Sequence, residues 1–460
     1  MLTLYFLVLI VVASLGLIIT SLIWNRINLN WLYKLSYFLV LSLPFERIPS
    51  LELGGFNVRI SQLIVLLGFY FLAILLIKRD KQLFALKIKS ITWFIVAFWI
   101  GLIPSLFLAV NEMRQYQVLI ATGLVFGAAF LVSHFNQDLT RTIKHLSYLL
   151  SAVGIFGIYQ FLGDFVGLPS TLTFLRPQYT KMVFGFARVQ ATAIEPLYWG
   201  GMLLLPSTWF LLRLMTTKKS NFNWPSFLIN VCCLVLVYVN LVLTLSRGAY
   251  LALVISLLIG VVAAAKYINW RVVLTFLLPS VLLLTIPTYI YLANSQYYKL
   301  IDSATEHIAN VFSDRQASTN ERLSYLNDAF RLLPENIVFG IGSGNYGPRL
   351  DQGTNSDGWL IVNNVYLEVL LEQGILAFTA FIAMFLYFVW RGLKKIATML
   401  QSNEKYNLDQ KLALIALVSA LSGYLAQWAT FSPIFIMPIF ILLGLLVTGV
   451  ESAESNETIQ

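Results

Sequence analysis

Arg247 stands in the run Leu243-Thr244-Leu245-Ser246-Arg247-Gly248-Ala249-Tyr250, a tight connection between two apolar stretches. A guanidinium held at such a bend stays near a membrane surface, where it can bind a phosphate through two parallel N–H···O bonds. It can equally snorkel to lipid headgroups. Arg188 and Glu195 share the segment Phe186 to Pro196. There the arginine can hold an anion, and the carboxylate can act as a general base or orient a hydroxyl. The alternative for Glu195 is local: Pro196 opens a helix and the carboxylate faces the positive end of its dipole. The run Gly340 to Gly347, with Gly342 and Gly344 inside it, can bring backbone amides to a phosphate or sugar. It can also be a loop that needs positive φ. Arg322 heads an amphipathic stretch, where a solvated charge is the ordinary reading.

Several chemistries are excluded. No Lys-Ser/Thr pair follows the glycines, so they are not a nucleotide loop. No His, Asp and Glu cluster has metal-ligand spacing, so no metal and no cofactor is expected. No nucleophile elbow is present. Cys232 and Cys233 are adjacent inside an apolar run and cannot form a metal site. His307, on an outward segment, has no partner residues near it in sequence.

The elements that must position these residues are membrane spans. Of 460 residues, 58% are hydrophobic and 12% charged, too little charge to cover a soluble protein of this length. Runs long enough to cross hydrocarbon recur, and in lipid such runs must be helices. The spacing places spans near 2–23, 31–45, 60–77, 91–110, 116–133, 146–163, 197–214, 226–245, 248–265, 272–292, 371–390, 411–428 and 432–449. The first, Leu2 to Trp24, lacks a basic leader and a cleavage site and reads as a retained helix. The fold class is therefore all-α: a polytopic integral membrane bundle of about 12–13 transmembrane helices with an extracytoplasmic helical cap. Residues 1–460 form a single membrane domain without internal repeat.

Charge gives the bundle a direction. Basic loops around Lys78–Lys89, Arg141–Lys144, Arg213–Lys219, Lys266–Arg271 and Arg391–Lys411 fall on one side, which the positive-inside rule assigns to the cytoplasm. The net charge of +9 then reflects cationic loops facing anionic headgroups, not nucleic-acid binding. Residues 164–195 and the cap loop 293–370 face outward. Within the cap, Ser318-Thr319-Asn320-Glu321 has a capping-box pattern. Arg322 to Leu333 follows with Leu323, Leu326, Phe330 and Leu333 on one face, stopped by Pro334 and Asn336. A second amphipathic helix runs from Asn364 to Gln373, and Gly374 marks its joint with the next span.

The hairpin LTLSRGAYLALVISLL at 243–258 closely resembles the signature of the O-antigen ligase and polymerase superfamily. The cap is similar as well: an Arg-led helix, a Pro, a Gly-x-Gly turn, then NNVYLEVLLEQGIL. A third likeness is ARVQATAIEPLYWGGMLLL at 187–205. The resemblance implies metal-independent glycosyl transfer on the outer face of a bacterial cytoplasmic membrane. The donor would be a glycan on an undecaprenyl-type diphosphate, and the acceptor a saccharide hydroxyl, in cell-surface polysaccharide biosynthesis. The lipid bilayer and other polysaccharide-assembly membrane proteins are the implied surroundings. Arg188 and Arg247 carry over as diphosphate binders, with Arg322 as a third; Gly342, Gly344, Asn363, Asn364 and Tyr366 carry over as substrate-binding positions.

One departure stands out: Asn363 occupies the place of a functionally important His. Asparagine can orient a hydroxyl but cannot take its proton. Either Glu195 is the base or the acceptor needs little base help, which favours a repeat-unit polymerase or another non-ligase member over a ligase acting on lipid A–core or a protein acceptor. Two other classes remain: a transporter of an anionic solute, and a non-catalytic assembly or sensor protein.

Overall fold

The computed structural model describes residues 24–53, 56–180, 187–217, 223–269, 322–350, 360–401, 406–432 and 436–451. The expected spans at 2–23 and 272–292, the capping box at Ser318–Glu321, and His307 lie outside the described residues. Elsewhere helices fill the chain in the expected order. They are α1 Leu29–Leu41, α2 Ile60–Ile77, α3 Ser90–Leu102, α4 Glu112–Phe135, α5 Leu139–Phe165, α6 Pro196–Met202, α7 Leu204–Met215, α8 Trp224–Leu243 and α9 Arg247–Ala264. After them come α10 over 322–336, α11 Val365–Gln401, α12 Leu408–Trp428 and α13 Met437–Glu451. Eight described helices are long and apolar enough to cross a membrane. The chain is a multi-pass helix bundle, and the one small sheet among the described residues is the hairpin of β1 Ser50–Leu53 with β2 Phe56–Arg59.

Two elements differ from the expectation. The span at 197–214 is two helices that meet at Leu203. Pro206 has no N–H for the Met202 carbonyl and its ring crowds that carbonyl, which accounts for the break. The helix expected over 322–333, with Pro334 and Asn336 as its stops, runs past Pro334 and ends at 336. A proline in the last turn forfeits only one hydrogen bond, and Asn336 Nδ2 donates to the Leu332 carbonyl at 2.7 Å.

Small residues let the helices approach. The buried face of α9 is Ala249, Ala252, Ser256, Gly260 and Ala264, while Val254, Leu258 and Val262 are exposed. Lipid is as apolar as leucine, so large side chains gain little by turning inward, and close backbone packing decides the contact face. A Cβ on Gly423 of α12 would lie 2.6 Å from the Ala252 carbonyl. One on Gly444 of α13 would lie 2.8 Å from the Ala129 carbonyl of α4. Asn240 fastens a third contact, donating to Gly154 O at 2.8 Å and accepting from Trp199 Nε1 at 3.2 Å.

The bundle has two chemically different ends. At one, the basic end, lysines reach helix-terminal carbonyls of neighbouring elements. Lys395 Nζ donates to Gly449 O at 2.7 Å, Lys266 Nζ to Leu400 O at 2.7 Å, and Lys89 Nζ to Ser133 O. The opposite end gathers the loops 42–49, 166–180, 187–195 and 244–246 together with the cap residues 322–350 and 360–373.

Candidate functional site

Three loops converge at the cap end. Arg47 N donates to Thr192 O at 2.9 Å, and Thr192 Oγ1 donates to Pro44 O. Val189 N donates to Leu243 O at 2.9 Å, which lays the Arg188 segment along the hairpin before α9. Gln160 Nε2, from α5, donates to Ala191 O at 3.0 Å. Four non-glycine residues at this end have positive φ: Phe174 (56°), Ala191 (46°), Leu245 (47°) and Asn363 (63°). L-residues pay for that conformation, and such strain persists where surrounding contacts enforce it.

This packing brings Arg188, Glu195 and Arg322 together. Arg188 Nε donates to Thr244 O at 3.3 Å, and its guanidinium lies 5.8 Å from the Tyr179 ring centre. Glu195 precedes α6 with Pro196 in the first turn, as a helix start requires, yet its side chain makes no capping bond. It faces Arg176, Arg188 and Arg322 instead. Burial pushes the Glu195 carboxyl above its ordinary range, and the three arginines oppose that shift. Burial also lowers Arg188, with Tyr179 and Glu195 opposing and Arg322 adding to the drop. Arg188 nonetheless starts from a value so high that it stays charged. The Tyr179 phenol is pushed up by burial and by Glu195.

Arg247 opens α9, three residues after the Thr244 carbonyl that Arg188 holds, and it is exposed. Nothing among the described residues bonds its guanidinium.

The cap supplies the other half. Gly342 N donates to Glu372 O at 2.9 Å, and Gly344 N to Glu372 Oε2 at 2.7 Å. Both amides are therefore engaged inside the fold. Gly374 (φ 79°) is the joint expected in α11, and Ile375 N beside it donates to Ile337 O at 2.8 Å. Asn364 caps α11 through Leu367 N at 3.0 Å and donates to Ala429 O at 3.3 Å. The Tyr366 hydroxyl donates to Leu425 O at 2.6 Å. Asn364 and Tyr366 thus fasten the cap to α12.

The end of α12 joins the two halves. Gln427 Nε2 donates to Leu197 O at 3.2 Å, next to Glu195 in α6. The Tyr198 and Phe431 rings are 6.0 Å apart, and a Cβ on Gly248 would lie 2.8 Å from Thr430 Oγ1. Residues 427–431 therefore touch the Glu195 helix, the Arg247 hairpin and Asn364.

Several members of this end escape a reading of the sequence. Arg176 and Tyr179 belong to the outer segment 164–195, and Arg47 to the loop after α1. Arg47 donates to Phe174 O at 2.8 Å and interacts with Arg176 and Tyr179. Glu46 is 0% exposed, 3.7 Å from Arg59, and burial raises its carboxyl. No local pattern marks these residues; a charged residue in a loop was the only available signal. Among the described residues no group of three or more His, Cys, Asp or Glu stands together as a candidate metal site.

Residues 232–382 match the family model described as O-antigen ligase. The match takes in α8 from Cys232 onward, α9, Arg322, the glycine turn and the Asn363–Gly374 stretch. No curated protein matches the chain.

Proposed function

We propose, from the match of residues 232–382 to the O-antigen ligase family model, that the chain is a repeat-unit polymerase of cell-surface polysaccharide. The donor glycan is carried on a polyprenyl diphosphate, and the reaction takes place on the extracytoplasmic side of a bacterial cytoplasmic membrane. The observation that carries this reading is the convergence of Arg176, Arg188 and Arg322 on Glu195, beside the hairpin that presents Arg247.

In the reaction, an acceptor hydroxyl oxygen attacks the anomeric carbon, the carbon–phosphate oxygen bond breaks, and the lipid diphosphate leaves with the bonding pair. Glu195 takes the hydroxyl proton. Its raised proton affinity suits a base that must accept a proton near neutral pH. Arg188 and Arg247, with Arg322, stabilise the charge that develops on the diphosphate. Asn363 orients the acceptor, since it cannot remove a proton. The basic loops at the opposite end support the side assigned to this chemistry.

Arg247→Ala, expressed at the normal level, is expected to abolish transfer; full polymer production by that variant would remove Arg247 from the mechanism. Purified protein given lipid-linked repeat units alone should extend them. A strict need for a second lipid or protein acceptor would instead make it a ligase.

The break between α6 and α7 is the one observation that a transporter would share. Pro206 accounts for it locally, and the charged groups gather at one end of the bundle. Solute uptake into proteoliposomes without glycan transfer would reverse this order.

A further inference from the structure

Glu368 and Glu372 are one helical turn apart on the first segment of α11, 4% and 3% exposed. Two like charges so placed repel, and taking each from water is costly. A segment that only had to pack would carry apolar residues there. Their oxygens hold loops instead. Glu372 accepts the N–H groups of Gly344 at 2.7 Å and Tyr346 at 3.1 Å, one on each oxygen. Glu368 Oε2 accepts the N–H of Val362 at 3.0 Å, the residue before Asn363. Both loops need the support: Gly342, Gly344 and Asn363 have φ of 93°, 74° and 63°. The cation that both carboxylates meet is Arg114, from the first turn of α4. Its Nη2 also donates to Leu360 O at 3.3 Å. The triad therefore touches the glycine turn, both ends of 360–362 and the start of a span.

We propose that Glu368, Glu372 and Arg114 form a positioning triad for the acceptor side of the site. Glu368 fixes Val362 and so presents Asn363 to the acceptor hydroxyl. Glu372 seats the glycine turn against α4, and Arg114 offsets one of the pair's two charges. None of the three touches donor or acceptor; each acts through the loop it holds. The proposal rests on the transferase reading above and deepens it.

The test uses the full chain in detergent with two readouts: transfer from a lipid-linked oligosaccharide, and binding of sugar-free polyprenyl diphosphate. Glu368→Ala should slow transfer at least about tenfold while the diphosphate Kd moves less than about twofold. Glu368→Gln keeps an oxygen for the Val362 N–H and should stay within about threefold of the unmodified protein. Glu368→Ala combined with Asn363→Ala should be no slower than Glu368→Ala alone, because both remove the same contact. Unchanged transfer in Glu368→Ala overturns the proposal, as does loss of diphosphate binding together with transfer, or losses that multiply in the double variant. Where Glu368→Ala does not fold, Glu368→Asp, one methylene shorter, makes the same comparison. Failure of the transferase reading looks different: no transfer by the unmodified protein, or diphosphate binding that survives Arg188→Ala.

Discussion

The two ends of the bundle both carry cations, but they use them differently. At the basic end Lys89, Lys266 and Lys395 bond to main-chain carbonyls of neighbouring elements, and Arg213 pairs with Asp409 at 2.5 Å. Those charges complement the negative ends of helix dipoles and lock adjacent helices together. At the cap end Arg176, Arg188 and Arg322 face the same carboxylate, Glu195, and Arg47 lies against Arg176. Like charges brought together in a half-buried place cost free energy unless an anion joins them. The cations of the basic end hold helices; those of the cap end face a carboxylate, and in the proposed function they also meet a diphosphate.

The largest test of this contrast is a pair of variants. Arg188→Ala should lower transfer at least about a hundredfold, the scale of losing one charge-stabilising donor. Lys395→Met at the other end should leave transfer within about twofold, since its partners are carbonyls far from the chemistry. Equal losses from both, in an assay of polymer length per enzyme, would erase the distinction between the ends.

The pH dependence of transfer sharpens it further. The Glu195 carboxyl is raised, so its base form is lost at a higher pH than for a free glutamate as the medium is acidified. The acid limb of the rate profile should therefore lie above the ordinary value of about 4.3, and Glu195→Gln should be slow and lack that limb. A limb at the ordinary position, or one that persists in the Gln variant, would assign the base elsewhere.

The smallest effect is expected from Arg213→Ala. Arg213 and Asp409 are 25% and 44% exposed, so the pair should contribute about 0.2–1 kcal/mol, less in high salt. Thermal unfolding in detergent measures it. A loss of transfer with stability intact would show that this pair does more than join helices.

The spans were legible because lipid leaves a backbone no other choice: a long apolar run must be a helix. The expected span at 31–45 is the 13-residue α1, where Lys34 lies over Trp31, and it is not among the eight helices long and apolar enough to cross a membrane. The Gly374 joint, Arg188, Glu195, Arg247 and Arg322 were visible because each sits in a local pattern of bends, prolines and glycines. Arg47, Arg176, Tyr179, Glu46, Arg114, Glu368 and Glu372 were not. Their partners lie mostly in loops, more than a hundred residues away for Arg47 with Phe174 and for Arg114 with Leu360. The break at Leu203 was hidden in an apolar run, although Pro206 carried its cause.

By itself the sequence determined the membrane class and which arginines stand at helix ends. Those properties depend on local composition, and a solvent as uniform as lipid reads composition directly. Only the tertiary structure decided which of those charges meet. Electrostatic and hydrogen-bond contacts depend on distance through space, and small-residue packing faces of the kind seen on α9 set that distance.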